Sequence, residues 1–514
     1  MATKKGKNPI SYIYNIYSLL GFLLAAIAAS LVVIFVAYET MSGTENPYFG
    51  LISYFALPGV VMFGLAMVVG GALWSRHKRR VRGDLEAPLL PRIDLNDPHK
   101  RFHAAFFVVV AFGLVIVVAI ASIKGIEFTE SPTFCGELCH PPMEPEHVAW
   151  QNSPHARVKC VECHVGSGIG FYIKAKVNGT KQLYSILTGT YPAPIETPVE
   201  GLRPSRDTCE KCHWTDKFYS GRQKIFYHNA PNEQNTPRET NLLIKIGGSP
   251  KAPHASGIHW HIGREVTYVP RDRERQDIPY IAFKNDDGSL VEFMDTDKPM
   301  TREEIAKGKK RVMDCIDCHN RPTHIYHSPS QEVDENFTSG KLDLSVPYLK
   351  KVMVELLSAP YKSEEEAAAA LGKGIRDYYS KNYPAIASQK ADSIKKAVEV
   401  AEGIYHRNFF PKMKVAWNTF PNNIGHFYFP GCFRCHDGKH KNAAGKVISK
   451  DCNLCHVVMN QKQENIPAGT QVKNFVHPVD IGNELMNTNC SECHLPKPPE
   501  GEKKEGHEKA AAHH

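Results

Sequence analysis

The feature that most constrains this chain is a repeated cysteine motif. Six copies of C-x-x-C-H use twelve of the fourteen cysteines, and each copy has a histidine directly after its second cysteine. The six copies are Cys160, Cys163 and His164; Cys209, Cys212 and His213; Cys315, Cys318 and His319; Cys432, Cys435 and His436; Cys452, Cys455 and His456; and Cys490, Cys493 and His494. The remaining pair, Cys135 and Cys139, has three residues between its members and is followed by His140. We number the motifs 1–7 in chain order.

This motif is the attachment signal of c-type haem. Two thiols bond the vinyl groups of one porphyrin, and the next residue supplies an imidazole to the iron. A disulfide framework gives no reason for a histidine after every second cysteine, and zinc sites place their histidines at other offsets. We therefore predict seven covalently bound c-type haems, with haem 1 attached through C-x-x-x-C-H and the motif histidines as proximal iron ligands.

Three long apolar segments precede the motifs, at residues 13–38, 48–74 and 102–123. Each exceeds the roughly 20 residues that span a bilayer. Basic residues precede the first segment and fill the loop between the second and third, whereas the loop between the first and second has none. The positive-inside rule then predicts a cytoplasmic N-terminus and a periplasmic chain after Lys124. This topology explains the basic loop and the net charge of +8 better than nucleic-acid binding does.

The apolar segments contain no buried charged residue, and their only histidine is His103, at the cytoplasmic edge. A b-type haem within a membrane needs two histidine ligands from the spans, so we predict none here. The segments are interpreted as an anchor in the lipid bilayer of a bacterial inner membrane.

The sequence predicts a membrane-anchored multihaem cytochrome c. Its three transmembrane helices are followed by a mostly α-helical and irregular periplasmic domain with a small β insertion. The β insertion rests on alternating residues around an Asp287-Gly288 turn, and a helical segment rests on a capping box of Ser363 and Glu366. The predicted parts are the anchor 1–123, the domain of haems 1–4 at 124–330 with its insertion at 265–293, a helical spacer 331–410, the module of haems 5–7 at 411–496, and a disordered tail 497–514.

A haem iron needs a second axial ligand unless that position is open to a substrate. The exported region has thirteen further histidines before the terminal pair. Two histidine ligands suit electron relay, and most haems here are expected to have them. The predicted distal ligands are His155, His259, His261, His324, His426, His440 and His477.

Two stretches carry a resemblance to a known family. F-C-G-E-L-C-H-P-P-M and S-P-H-A-R-V-K-C-V-E-C-H, directly after a membrane segment, resemble the NapC/NirT/NrfH family of membrane-anchored quinol dehydrogenases over roughly residues 100–215. Later blocks, such as M-D-C-I-D-C-H-N-R-P-T-H, are similar to a larger branch from metal-reducing bacteria. The resemblance implies electron transfer from menaquinol to soluble periplasmic multihaem cytochromes, towards extracellular or metal respiration.

The resemblance also implies a quinol site beside haem 1. Met143, three residues after His140, matches the methionine ligand of NrfH-like members. Lys174, or alternatively Lys176, matches a lysine near the quinol. The acidic partner of that lysine has no clear match. Glu144 and Glu146 are alternative proton acceptors, although an exposed surface position is the commoner interpretation of such glutamates.

Two other functions stay open from sequence. The chain could be a terminal reductase of a small substrate such as nitrite at an open haem, or a non-catalytic electron-transfer subunit. Assembly as a homo-oligomer is also left open. Smaller family members have one anchor helix and four or five haems, so the additional spans and haems have no counterpart in them.

Overall fold

The computed structural model describes residues 15–42, 52–82, 96–139, 142–165, 169–199, 204–248, 257–285, 287–464, 466, 474–482, 485 and 488–494. The chain divides into two compact units. The first is Met1–Met143 with Lys159–Val161, and the second is Glu144–Val158 with Glu162–His514. The predicted tail 497–514 lies outside the described residues.

The first unit contains three long helices, α1 (Ile16–Ser42), α2 (Leu57–Val81) and α3 (Pro98–Thr129). Helices α1 and α2 pack closely because glycines meet at their contact. A Cβ atom added at Gly21 would lie 2.5 Å from the Gly64 carbonyl oxygen, and one added at Gly64 would lie 2.6 Å from that of Gly21. Small residues at the crossing let two apolar backbones approach, which is how helices associate in lipid.

Among the described residues, two helices are long and apolar enough to cross a bilayer, Ile16–Tyr38 and Ile52–Val81. The third predicted segment lies within α3, which is 32 residues long but is not one of these two candidates. The sequence predicted three spans, whereas two candidates are found among the described residues.

The second unit includes a helical bundle over the predicted spacer 331–410. Its core is one cluster of buried apolar residues that includes Leu371, Ile375, Tyr379 and Ile404. The helices are α11 (Pro329–Thr338), α12 (Leu349–Leu357), α13 (Glu364–Asn382), α14 (Pro384–Gln389) and α15 (Ala391–Asn408).

Half of the predicted capping box is present at the start of α13. The Ser363 hydroxyl accepts a hydrogen bond from the Glu366 N–H at 3.2 Å. The Glu366 carboxylate accepts from the Lys362 N–H at 2.7 Å instead of from Ser363. The predicted interruption at Pro384 is also present, because α13 ends at Asn382 and α14 begins with the proline.

A five-stranded sheet contains the predicted β insertion. Its strand order is β6 (Arg311–Val312), β3 (Thr267–Val269), β4 (Tyr280–Lys284), β5 (Leu290–Asp295) and β9 (His440–Lys441). Strands β4 and β5 form the predicted hairpin, and Gly288 has a φ of 80° in its turn. This positive φ is why the turn favours glycine.

A second, three-stranded sheet was not predicted. Its order is β1 (Gly221–Asn229), β2 (Pro237–Lys245) and β10 (His456–Lys462), and all neighbours are antiparallel. Strand β10 begins at the histidine of motif 6. Each of the two sheets therefore contains strands from before and from after the helical spacer. A short ladder, β7 (Phe409–Phe410) with β8 (Val415–Ala416), follows the bundle.

Short helices occupy most of the remaining described chain. They are α4 (Glu144–Gln151), α5 (Cys160–His164), α6 (Ile169–Thr188), α7 (Ser205–Cys209), α8 (Trp260–Gly263), α9 (Arg302–Lys307), α10 (Cys315–Cys318), α16 (Cys452–Cys455) and α17 (Cys490–His494). Several of them carry the cysteine motifs.

Candidate haem-binding sites

The regular motifs fold as single turns. In motif 3 the His213 N–H donates to the carbonyl of Cys209 at 2.8 Å, and in motif 4 the His319 N–H donates to that of Cys315 at 2.8 Å. Motif 5 closes in the same way, from His436 to Cys432 at 3.0 Å. One closed turn keeps two sulfur atoms and an imidazole within reach of a single porphyrin, as covalent attachment requires. None of the fourteen cysteines, all of which are described, forms a disulfide.

Motif 1 absorbs its extra residue in a π-helical turn. Cys135 lies within the π-helix Phe134–Leu138, and Cys139 follows directly. A π turn holds more residues than an α turn, and such turns occur often at functional sites. The spacing of motif 1 is thus matched by a different local helix, although the following His140 lies outside the described residues.

Motif 4 has a buried acidic residue inside it. Asp317 is 2% exposed and accepts hydrogen bonds from the Tyr268 hydroxyl at 2.7 Å, the Arg275 guanidinium at 3.0 Å and the Arg311 guanidinium at 2.6 Å. Its other oxygen accepts from the Asp314 N–H at 2.7 Å, which completes a capping box on α10. Because a buried charge must be paired, this network fixes the motif against the five-stranded sheet.

Five motif histidines each lie beside one of the predicted distal histidines. Two imidazoles bound to opposite faces of one iron at about 2 Å each have ring centres about 6 Å apart. The observed distances between ring centres are 6.2 Å for His164 and His324, 6.0 Å for His213 and His155, 5.8 Å for His436 and His261, 6.1 Å for His456 and His426, and 6.2 Å for His494 and His477. The residues present therefore fit an iron between each pair.

Motif 4, the one regular motif outside these five pairs, also has a histidine neighbour. Burial lowers the pKa of His319, and the nearby His259 and His213 lower it further. His259 is two residues from His261, which faces motif 5. This short segment therefore approaches two motifs.

Several predicted distal histidines are oriented by their Nδ1 atoms. Nδ1 pairs with a backbone carbonyl oxygen at 2.6 Å in His259 (Ile246), at 2.8 Å in His261 (Ile258) and at 2.7 Å in His477 (Val479). Such a bond fixes the orientation of the ring, as in other metal-binding histidines.

Four other histidines have a buried Nδ1 atom with no hydrogen-bond partner among the described residues: His155, His327, His426 and His456. A buried polar atom without a partner is unfavourable and calls for an explanation. The rings of His155, His426 and His456 each face another histidine ring, which fits a role as iron ligands.

Burial also lowers the pKa of many of these side chains. A neutral imidazole is the form that binds a metal. Burial is the main cause of the lowered pKa in His164, His261, His319, His426, His436, His456 and His494.

His324 has a carboxylate partner instead. Its Nδ1 lies 2.9 Å from Oε2 of Glu146 and 3.1 Å from the Glu146 carbonyl oxygen. Burial alone would raise the pKa of Glu146, but the His324 bond and the charge of Arg321 hold it at about 2. From the sequence, Glu146 was either an alternative proton acceptor or an exposed surface glutamate. It is instead a half-buried carboxylate beside an axial-ligand candidate.

His440, another predicted distal ligand, has both ring nitrogens engaged by other partners. Its Nδ1 lies 2.9 Å from the Asp437 carboxylate and its Nε2 lies 2.7 Å from the Ile278 carbonyl oxygen. Burial would lower the pKa of His440, but these two bonds raise it. With both ring nitrogens engaged, His440 has none left for an iron.

The residues predicted for a quinol site are only partly described. Met143 is half-buried just before α4, and Glu144 is the first residue of that helix. Lys174 is exposed on α6, and the side chain of Lys176 lies outside the described residues.

These features together define a membrane-anchored multihaem c-type cytochrome. Residues 97–235 match the model of the NapC/NirT cytochrome c family, N-terminal region. The chain is also 61% identical over 484 residues to the cytochrome c-type protein ImcH of Geobacter sulfurreducens, which covers 94% of this chain and 96% of that protein. The chain therefore belongs to the NapC/NirT-type cytochromes c, the family of ImcH. No solved structure matches it. Proteins of this family carry covalent c-type haem, are anchored by N-terminal helices and serve electron transport.

Proposed function

We propose that the chain is an inner-membrane menaquinol dehydrogenase that passes electrons through seven c-type haems to soluble periplasmic cytochromes. The terminal use would be extracellular or metal respiration. The observation that carries this proposal is the set of histidine pairs at about 6 Å, because two histidines per iron suit electron relay. When bound, the haems supply one-electron exchange between ferric and ferrous iron.

The proposed axial pairs use one histidine from a motif and one from elsewhere in the chain. They are His164 with His324 for haem 2, His213 with His155 for haem 3, His319 with His259 for haem 4, His436 with His261 for haem 5, His456 with His426 for haem 6, and His494 with His477 for haem 7. In haem 1, His140 would pair with Met143.

Contacts between consecutive motifs support a continuous path through haems 3–7. Motifs 3 and 4 are joined by the Ser205 N–H, which donates to Asp314 at 3.2 Å. Motifs 4 and 5 are joined by the Arg434 guanidinium, which donates to the Asp317 carbonyl at 2.8 Å. The His426 ring, proposed for haem 6, stacks on Phe433 of motif 5 at 4.4 Å.

The proposed step from haem 6 to haem 7 is supported by Phe427, the residue after His426. Phe427 stacks on His494 of motif 7 at 4.4 Å. His426, a proposed ligand of haem 6, and Phe427, which contacts a proposed ligand of haem 7, are consecutive residues, and this supports a short path between the two haems.

Electrons are proposed to enter at motif 1. It follows α3 directly, so a quinol at the membrane surface would meet it first. Oxidation of one menaquinol releases two electrons and two protons, and Glu144, Lys174 and Lys176 are the proposed polar residues of that site. A periplasmic orientation rests on the basic loop at residues 76–82, which the positive-inside rule assigns to the cytoplasm.

A terminal reductase would need an iron with an open position. The six proposed histidine pairs leave motif 1 as the site without a second histidine, and this motif lies next to the membrane segments. This arrangement favours quinol oxidation over reduction of a soluble small molecule such as nitrite.

The proposal is tested with purified full-length protein in detergent and a water-soluble menaquinol analogue. We expect seven haems per chain and rapid reduction of the haems by the analogue. In Met143→Ala, one haem should change its spectrum and the rate of reduction should fall. Protein that dithionite reduces and the quinol analogue does not would refute the dehydrogenase assignment. An unchanged spectrum and rate in Met143→Ala would refute the ligand assignment.

A further inference from the structure

One proposed distal ligand has surroundings that differ from those of the others. The Nδ1 atoms of His259, His261 and His477 pair with neutral backbone carbonyls. The Nδ1 atom of His324 instead lies 2.9 Å from the carboxylate of Glu146. The inference below rests on the proposed function, because it takes His324 as a ligand of haem 2.

The Glu146 carboxylate is held in place by a buried arginine. The Arg321 side chain is 7% exposed, and its Nη2 atom lies 3.3 Å from both Glu146 oxygens. The Arg321 Nε atom donates to the His324 carbonyl at 2.6 Å. Its guanidinium also lies over the rings of Tyr326, at 5.0 Å, and Phe420, at 4.6 Å. These contacts fix one geometry for the carboxylate and the imidazole.

The carboxylate is closer to the imidazole than to the guanidinium. The Glu146–His324 distance of 2.9 Å is in the range of a charge-assisted hydrogen bond, whereas the Arg321 distances of 3.3 Å are at its outer limit. A carboxylate that accepts from the second ring nitrogen makes a metal-bound imidazole more basic. A more basic ligand stabilises ferric iron over ferrous iron and so lowers the reduction potential.

We propose that Glu146 is a positioning residue that sets the reduction potential of haem 2 by polarising His324. The ferric iron of this site gains one electron less readily than it would with a neutral carbonyl on His324. The reduction potential of haem 2 is therefore lower than it would be if the Nδ1 of its distal histidine bonded a backbone carbonyl.

The test is a redox titration of the haem-loaded full-length protein, followed by absorbance and electron paramagnetic resonance. Glu146→Gln keeps the size of the side chain and a hydrogen-bond acceptor but removes the charge. We expect one low-spin haem to become easier to reduce, with its ratio of ferrous to ferric iron at least tenfold higher at a fixed potential, which is 59 mV for one electron. The other haems should keep their potentials.

The matched control is Glu364→Gln. Glu364 also lies beside a histidine nitrogen, His406 Nδ1 at 2.6 Å, but this pair is on the exposed surface of the helical bundle. Its removal should change no haem potential. If every potential in Glu146→Gln equals that of the wild type, the inference is wrong.

A second variant tests the inference if the Glu146→Gln protein does not assemble. Glu146→Asp keeps the charge opposite Arg321 but moves the carboxylate away from Nδ1, so a smaller shift in the same direction is expected. An unchanged potential in this variant also overturns the inference.

His324→Ala separates the inference from the function on which it rests. If it leaves the number of low-spin haems unchanged, the proposed axial pair is wrong. If it removes one low-spin haem while Glu146→Gln shifts no potential, only the role of Glu146 is wrong.

Discussion

Replacing His261 with alanine is expected to convert one haem from low spin to high spin. The His261 ring lies 5.8 Å from that of His436, and its Nδ1 is held by the Ile258 carbonyl at 2.8 Å. This geometry leaves Nε2 free to bind the iron of haem 5. Without the imidazole, the iron would keep only His436 as an axial protein ligand, and one histidine alone is typical of a high-spin haem.

The size of the effect follows from the number of sites. One haem of the seven proposed would change, so about one seventh of the low-spin absorbance and resonance intensity should be lost. The substitution leaves one backbone carbonyl without its partner, which costs about 1–3 kcal/mol of folding free energy. Because only this one hydrogen bond is lost, the protein should still assemble. Absorbance spectroscopy and electron paramagnetic resonance of the oxidised protein measure both populations.

His440 provides the matched control. It is 1% exposed and bonds Asp437 at 2.9 Å and the Ile278 carbonyl at 2.7 Å. His440→Ala should lower the free energy of unfolding by about 1–3 kcal/mol for the unsatisfied partners and change no haem spin state. A high-spin haem in His440→Ala, with none in His261→Ala, would refute the reasoning from ring geometry.

Two further predictions concern charge pairs away from the haem sites. Lys350→Met should lower the free energy of unfolding by about 3–5 kcal/mol, measured by thermal melting, because it leaves the buried Asp334 without the ammonium that lies 2.8 Å away. Arg302 lowers the pKa of Glu292 from 4.5 to about 2, so this pair stabilises the fold above about pH 4.5 and loses its effect as the pH falls towards 2. Because the pair is largely exposed, Glu292→Gln should be less stable than wild type by under about 1 kcal/mol at pH 6, and urea unfolding should show no difference near pH 2.

The attachment motifs could be predicted because their chemistry is local. Two thiols and an imidazole must reach one porphyrin from a single turn, so sequence spacing alone identifies them. The motif 1 spacing was also recognisable, but its π-helical turn was not, since nothing in F-C-G-E-L-C-H distinguishes a π turn from an α turn.

The partner of each motif histidine could not be predicted, because it depends on tertiary packing. His324 follows motif 4 by five residues yet lies beside His164 of motif 2. His155 precedes motif 2 by five residues yet lies beside His213 of motif 3. Sequence distance would have assigned each of them to the nearest motif.

Glu146 shows the same limit for a half-buried charge. The stretch E-P-E-H-V-A-W is polar at its start, which is typical of an exposed helix terminus. Its arginine partner, Arg321, is 175 residues away. In the unpredicted three-stranded sheet, the second strand likewise pairs with the strand His456–Lys462, more than 200 residues later. No local sequence pattern predicts such a pairing.

Neighbouring histidines that are proposed as ligands of different haems have a consequence for the proposed electron path. His259 and His261 are separated by one residue, so their Cα atoms are at most about 7 Å apart. If they bind haems 4 and 5, the two irons are tied to one short backbone segment. The separation of the irons is then limited by covalent geometry in addition to packing. His426, the proposed distal ligand of haem 6, is followed by Phe427, which stacks on His494 of motif 7 at 4.4 Å, so one packing contact limits the separation of haems 6 and 7. Under these ligand assignments, motifs that are far apart in sequence would hold their irons at short distances.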